Sequence, residues 1–389
     1  MSGPDVTSPR ATEAEPVRLA RTLAERAAAP PTAAGERAHV NALIAQLQVD
    51  RLVWAPAPRA VGGLDCAVGD LARVTFHLAR LSGSLGLIYA MHASQALTLL
   101  RHGGEPFLEQ LLRRLIDGQS LVASGTSEKG LGGDIFTSLC TVEAEGEGFV
   151  VIKDSPNISY LDHAKVVLMT ASRPGPRDRR TQVLIAAETD RMEIAPGPDA
   201  QLMGMRGILN RPYRLTARFG EAAVFRDPYP VIARATMTPA IHILWAALWS
   251  GLAAAALGKA QAFLAERAPK EAGAVEVFAA ELSRLVDRHY VLNALIRDAV
   301  AAFDQGAAAG ALGLVQTARA KRLKTQASGL ATEVCLGALG LIGMSGYFEG
   351  GPYSLAAIVQ DVLSEPVMIS NQRLVMANAA VERFIEEAP

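Results

Sequence analysis

The sequence predicts a mainly α-helical protein with a central β-domain, in the order helical domain, small β-domain, bundle of long helices. Three observations carry that prediction. From about residue 17 to residue 119 the only periodicity is helical. At Ser120 it gives way to short β-branched or alternating segments divided by Gly, Pro, Asp and Asn. Beyond Pro228 and Pro230 the chain returns to Ala- and Leu-rich stretches longer than the usual globular helix, the pattern of helices packed closely on one another. The implied divisions are 1–16 as a disordered N-terminus, 17–119 as a helical domain, 120–230 as a β-domain and 231–389 as a helical bundle.

Taken in order, VRLARTLAERAAA (17–29) sets Leu and Val on one face and Arg and Glu on the other, and Pro30-Pro31 stops it. Residues 36–48 repeat that periodicity, whereas 53–63, holding Pro56 and Pro58, reads as irregular. Two helices follow between Asp65 and Leu100, the second opening after Ser82-Gly83-Ser84. A shorter one runs from Glu105 to Asp117, before Gly118. Strands are expected at 140–153, 165–172, 181–188 and 213–225, with EAEGEGF (143–149) forming a hairpin in which Gly146 and Gly148 supply the turn. Long helices are expected at Thr238–Arg267, Ala274–Gln305 and 311–341. A loop at Gly343–Pro352, a helix from near Ser354 and a last helix at Gln372–Glu387 close the chain.

Composition narrows the function classes. The 389 residues carry a formal net charge of −1, so no global field favours nucleic acid or an acidic membrane surface. Cys66, Cys140 and Cys335 are odd in number and widely spaced, with no zinc-type cluster, and a reducing cytoplasm suits them. Met1–Pro16 lacks the apolar core of a signal peptide. The apolar segment Ile241–Leu257 is interrupted by His242, Ser250 and Gly251, as in a helix buried among helices rather than in lipid. No nucleic acid and no membrane are therefore expected.

The stretch V-A-S-G-T-S-E-K-G-L-G-G-D (122–134) is the most suggestive of chemistry. Thr126 and Ser127 stand before Gly130, Gly132 and Gly133, with Glu128 and Asp134 flanking the turn. Glycines let a backbone approach a flat ligand, and hydroxyls bond its polar edge. The residues alone describe a cofactor cradle, and they also describe a polar surface loop, which is the commoner origin of such a stretch.

With its domain order, this stretch resembles the acyl-CoA dehydrogenase superfamily, from about residue 17 to the end. S-E-K-G-L-G-G-D (127–134) is similar to that family's T-E-P-G-x-G-S-D, and N-I-S (157–159) stands where the family has W-I-T. G-M-R (204–206), Arg267 closing a long helix, I-G-M-S-G-Y (342–347) and Q-R-L-V-M-A (372–377) follow in the family order. His92, in G-L-I-Y-A-M-H-A-S, reads as packing.

The resemblance implies a small β-barrel-like domain, a C-terminal four-helix bundle and FAD bound between them. Thr126, Ser127, Ile158 and Ser159 would lie at the flavin, Arg267 at its pyrophosphate, and Gly343 and Gly346 in a cofactor loop. Gly133 and Arg206 would lie on the substrate side. Several positions depart from the pattern: Lys129 for a proline, Gly133 for a serine, Asn157 for a tryptophan, Met344 for a glycine, Gly340 for a glutamine, and Gln360 for the arginine preceding Asp361. A-P-K-E-A-G (268–273) stands where an aromatic-glycine pair is usual.

The implied reaction is α,β-dehydrogenation of an acyl-CoA or acyl-carrier-protein thioester, which needs a carboxylate base. Glu365 lies one residue from the family position, occupied by Pro366. His242 adjoins Ile241, where other members carry the glutamate. Both stand as base candidates. An electron-transferring flavoprotein as acceptor, and a homodimer or homotetramer, go with this reading. The alternatives are a flavin-dependent monooxygenase on the same scaffold, suggested by S-G-S-L-G (82–86), and a catalytically silent subunit pairing with an active paralogue.

Overall fold

The computed structural model describes residues 13–27, 35–131, 134–175, 181–267, 272–308 and 314–384. Pro30-Pro31, Gly132 and Gly133 lie outside them. The N-terminal domain is built of helices, α1 (Glu15–Arg26), α2 (Glu36–Val49), α3 (Val68–Leu81), α4 (Gly83–His102) and α5 (Pro106–Asp117), with the expected irregular segment between α2 and α3. Proline in the first turn starts α1 and α5 where a missing N–H costs nothing, and Ser82 caps α4 by accepting from Leu85 N–H at 3.3 Å. Helix α1 thus begins two residues inside the segment expected to be disordered.

The β-domain holds two open sheets. One orders β1 (Leu121–Gly125), β4 (Ala164–Ser172) and β5 (Gln182–Glu188), with β1 parallel and β5 antiparallel to β4. The other is antiparallel, in the order β2 (Glu143–Glu145), β3 (Gly148–Ile158), β7 (Arg211–Phe219), β6 (Met192–Pro196). The hairpin falls where expected, pairing Glu145 with Gly148 across Gly146 at φ +60°. The barrel-like expectation is too strong: among the described residues the three-stranded and four-stranded sheets do not join edge to edge. Strands β1 and β6 escaped the sequence reading because each is five residues long.

The C-terminal part comprises α6 (Tyr229–Ile232), a π-helical turn (Ala233–Met237), α7 (Thr238–Arg267), α8 (Ala272–Ala308), α9 (Leu314–Ile342) and four short helices. These are α10 (Met344–Tyr347), α11 (Ala356–Val362), α12 (Glu365–Met368) and α13 (Asn371–Ala379). Among the described residues three of these helices are long, and short ones take the fourth place of the expected bundle, with α13 against α9. The last helix ends at Ala379 rather than near Glu387 because a turn intervenes before the 3₁₀ segment Glu382–Phe384.

Helix α7 is the axis, packing against α3, α4, α8 and α9. Gly251 permits the closest crossing, since a Cβ there would lie 2.4 Å from the Phe76 carbonyl oxygen. By length and composition the segment Tyr229–Arg267 could cross a membrane, but 83% of its most apolar window is buried within this protein, as befits a core helix.

Candidate active site

The candidate cradle follows β1, and the strand's root is tied to the helical domain by His92. The buried imidazole bonds Val53 O through Nε2 at 2.8 Å and accepts Val122 N–H at Nδ1 at 3.0 Å, while burial pulls its pKa down to about 4. That is the packing role expected of it.

Glu128 is buried and anchors the loop beyond β1. It accepts from Ser138 Oγ and Leu139 N–H at 2.8 Å, Cys140 N–H at 2.6 Å and the Lys153 ammonium at 3.1 Å. Lys153, also buried, further donates to Thr170 O at 2.8 Å. Desolvation alone would raise the carboxyl pKa, but the Lys153 charge and these donors outweigh it and hold the group below the ordinary carboxylate range. The loop between Glu128 and Cys140 is therefore clamped at both ends, with Gly130 at φ +94° inside it.

The predicted hydroxyls divide. Ser127 Oγ donates to Asn157 O at 2.7 Å and contacts Ser155 Oγ at 2.8 Å, so it joins β1 to β3. Thr126 has only a 3.4 Å contact to Ser124 Oγ. Ser159 is buried next to buried Ile158, and its hydroxyl has no partner among the described residues. Gly133 lies outside the described residues.

G-M-R and Asp361 meet where all three parts of the chain join. Met205, at φ +54°, donates its N–H to Asp361 Oδ1 at 2.6 Å. Gly207 N–H reaches Ser84 Oγ at 3.1 Å and Glu36 Oε1 at 3.2 Å, and Ser84 also donates to Glu36. Arg206 bonds Leu202 O through Nε at 3.3 Å, so part of its guanidinium serves its own loop. Burial is the main reason that the Asp361 pKa rises to about 7.

In the bundle, Glu365 opens α12 and is fully buried. One carboxyl oxygen accepts from Thr332 of α9 and the other, Oε2, has no partner. Burial pushes its pKa to about 9, opposed by Thr332 and by the charge of Lys324. His242 is also fully buried. Its Nδ1 bonds Ala320 O at 3.1 Å, which leaves Nε2 as an unpartnered acceptor, and burial lowers its pKa to about 4. Trp245 and Trp249, on the same helix, have indole N–H groups without partners. Orphaned buried polar atoms are rare and point to a ligand or water.

Arg267 is exposed at the end of α7, stacked over Phe263 with its guanidinium carbon 4.6 Å from the ring centroid. Gly343, at φ +66°, has open space where a Cβ would stand, as do Gly340, Gly350 and Gly351. Gly346 is buried and accepts Leu355 N–H at 2.8 Å.

Sequence reasoning missed Lys324, Thr332, Asn371 and Lys153. A signal for the first existed: Lys324 occupies the buried stripe of α9 set by Ala320, Leu323, Ala327, Ala331 and Val334, at helical spacing. A cavity of about 530 Å³ between α3, α7 and α8 is lined by none of the predicted site residues.

Residues 11–119 match the acyl-CoA dehydrogenase N-terminal domain family. Over nearly its whole length the chain superposes on butyryl-CoA dehydrogenase from Megasphaera elsdenii, covering 98% of this chain and 100% of that one with TM-score 0.81 and 17% identity. Residues 11–119 are thus similar to that family's N-terminal domain, and the chain as a whole has the acyl-CoA dehydrogenase fold. Among curated members of the superfamily, it is 29% identical over 96 residues to bovine mitochondrial isovaleryl-CoA dehydrogenase, covering 24% of this chain and 22% of the relative. It is 27% identical over 137 residues to the acyl-[acyl-carrier-protein] dehydrogenase MbtN of Mycolicibacterium paratuberculosis, covering 34% and 35%. The chain thus matches well under half the length of these relatives, and at these identities the superfamily supplies the fold while the chemistry rests on the site.

Proposed function

We propose that this protein is a flavin-dependent acyl-thioester dehydrogenase, with FAD as the flavin, in which Glu365 removes the substrate α-proton. The observation that carries the reading is the Glu365 carboxyl: buried, oriented by Thr332 through one oxygen, with the other oxygen unpartnered.

The residues suit a flavin. Ser159 is buried with its hydroxyl unpartnered among the described residues, Thr126 has one long contact, and Gly343 and Gly340 face open space that a Cβ would enter. Thr126 and Ser159 would hold the flavin's polar edge, and Gly343, Gly346 and Arg267 its remote end. When bound, a flavin supplies the hydride acceptor. This chain's residues do the proton work: Thr332 aims the carboxyl, the apolar surroundings exclude water, and Glu365 takes the proton in its ionised form. His242, with a pKa of about 4, is too weak a base to compete.

The substrate in this reading is an acyl thioester of CoA or an acyl carrier protein, the two carriers in the names of the curated relatives. Three unbridged cysteines support a reducing, cytoplasmic setting. Exposed Val277, Tyr290 and Val291 on α8 and Leu336 on α9 support a homo-oligomer.

The test is the absorption spectrum of the purified protein, followed by anaerobic bleaching with a panel of acyl-CoA and acyl-carrier-protein thioesters. Bleaching that Glu365→Gln abolishes supports the reading. A yellow protein that no thioester bleaches overturns it. Oxygen-dependent hydroxylation would favour the monooxygenase. Colourless protein that stays apo with added FAD, or that co-purifies with a paralogue, would favour the silent subunit.

A further inference from the structure

Helix α12 has four residues, too few to hold itself, yet it presents the Glu365 carboxyl. Its support comes from Lys324 on α9, which is fully buried. The ammonium donates to Glu365 O at 2.7 Å, Ile369 O at 2.6 Å and Asn371 Oδ1 at 2.6 Å. Three donors thus meet three acceptors on the two sides of the α12–α13 turn. A neutral amine would point a lone pair at an oxygen, so this geometry calls for the charged form. Two further contacts favour that charge: the Trp249 ring lies 5.5 Å from Nζ, and Asn371 is itself held by Nδ2 donating to Ser328 Oγ at 2.9 Å.

We propose that Lys324 is the positioning residue for Glu365: it pins the backbone from which the carboxyl hangs, and its charge favours the ionised form. The mechanistic meaning rests on Glu365 being the base, but the geometry does not. No ion pair joins the two side chains directly, so the lysine acts through the turn and through its field. The other titratable groups near the pair are Lys321 and Cys335 on α9 and His242 on α7. Helix α12 carries no second charge, α13 contributes the neutral Asn371, and Asp361 of α11 turns its carboxyl to Met205 N–H. Lys324 is therefore the nearest cation able to offset the burial that raises Glu365. Burial lowers the Lys324 pKa to about 8, opposed by Glu365, so the lysine keeps its proton at neutral pH.

The experiment needs no substrate. The infrared C=O band of protonated Glu365, assigned by difference against Glu365→Gln, is followed against pH in the purified full-length protein and in Lys324→Met. The band should persist about one pH unit higher in folded Lys324→Met, a tenfold change in proton affinity. Lys324→Arg, which restores charge without the three-way fit, should recover part of the shift. A folded Lys324→Met whose band titrates as in the parent overturns the proposal. Should that variant not fold, Asn371→Ala, which removes one acceptor, should move the band by a smaller amount, and no movement there overturns it equally. Where a bleaching substrate is found, Lys324→Met should lower the reduction rate at neutral pH about tenfold with KM unchanged. If Glu365→Gln bleaches normally, the base reading fails while the band still decides the role of Lys324.

Discussion

Two buried lysine–glutamate neighbourhoods, one in the β-domain and one in the bundle, are built in opposite ways. In the β-domain Glu128 is saturated: Lys153, Ser138 and two backbone N–H groups converge on it, and its pKa falls. In the bundle it is the lysine that is saturated. Lys324 spends its three protons on carbonyl-type oxygens, while Glu365 keeps one oxygen unpartnered and its pKa rises to about 9. The same residue types give a rigid clamp in one place and a carboxyl of raised pKa in the other. Where the donors are spent decides which.

The comparison breaks most visibly at Glu128. Glu128→Gln leaves the buried Lys153 charge without its counter-ion, and urea unfolding should show a loss of about 3–5 kcal/mol. Because the folded pKa of Glu128 is lowered, its contribution is present above the unfolded carboxylate pKa and disappears as pH falls through the folded one. The variant should therefore lose the parent's acid dependence in that window.

At Glu365 the signs reverse. Glu365→Gln should slow flavin reduction by about 10²–10⁴-fold in stopped-flow measurements. In the parent, reduction should climb about tenfold per pH unit toward pH 9 as the carboxylate forms. Stability should run the other way. A carboxyl raised from 4.5 to about 9 contributes fully below 4.5 and loses that contribution as pH rises through 9. Melting temperatures of the parent should fall across this window, whereas those of Glu365→Gln should stay flatter and exceed the parent at pH 9.

Thr332→Val sharpens the contrast by removing the hydroxyl that donates to the Glu365 carboxyl. A hydrogen bond to a charged group is worth about 1.5–3 kcal/mol, so reduction at neutral pH should drop at least about tenfold with the rate optimum displaced upward. The smallest effect is expected at Ser159→Ala. Having no partner in the fold, it should change stability by less than about 0.5 kcal/mol. Flavin affinity, read by fluorescence titration, should nevertheless weaken several-fold.

Much of the fold was legible because it is written in period and punctuation. The long helices announced themselves by runs of Ala and Leu, α4 by the Ser82-Gly83-Ser84 break at its start, and the β2–β3 hairpin by its glycines. The five-residue strands β1 and β6 were not legible, since so short a stretch offers too few alternations to read. Residues of the site were found in proportion to their motif. Ser127 sits in the expected loop, yet its hydroxyl is engaged by Asn157 O, a partner brought in by sheet pairing 30 residues away. Glu365 and His242 emerged together as base candidates, and only their surroundings separate them.

The sequence by itself determined the order of the three parts, most of the elements and the residue types available for chemistry, because periodicity, capping and turn residues act over a few positions. The tertiary structure alone decided what those residues are. Burial and the assignment of donors depend on segments far apart in the chain: Lys324 to Asn371, Glu128 to Lys153, Met205 to Asp361. A carboxyl's proton affinity is set by its neighbours in space, which is why one glutamate became a clamp and the other a candidate base.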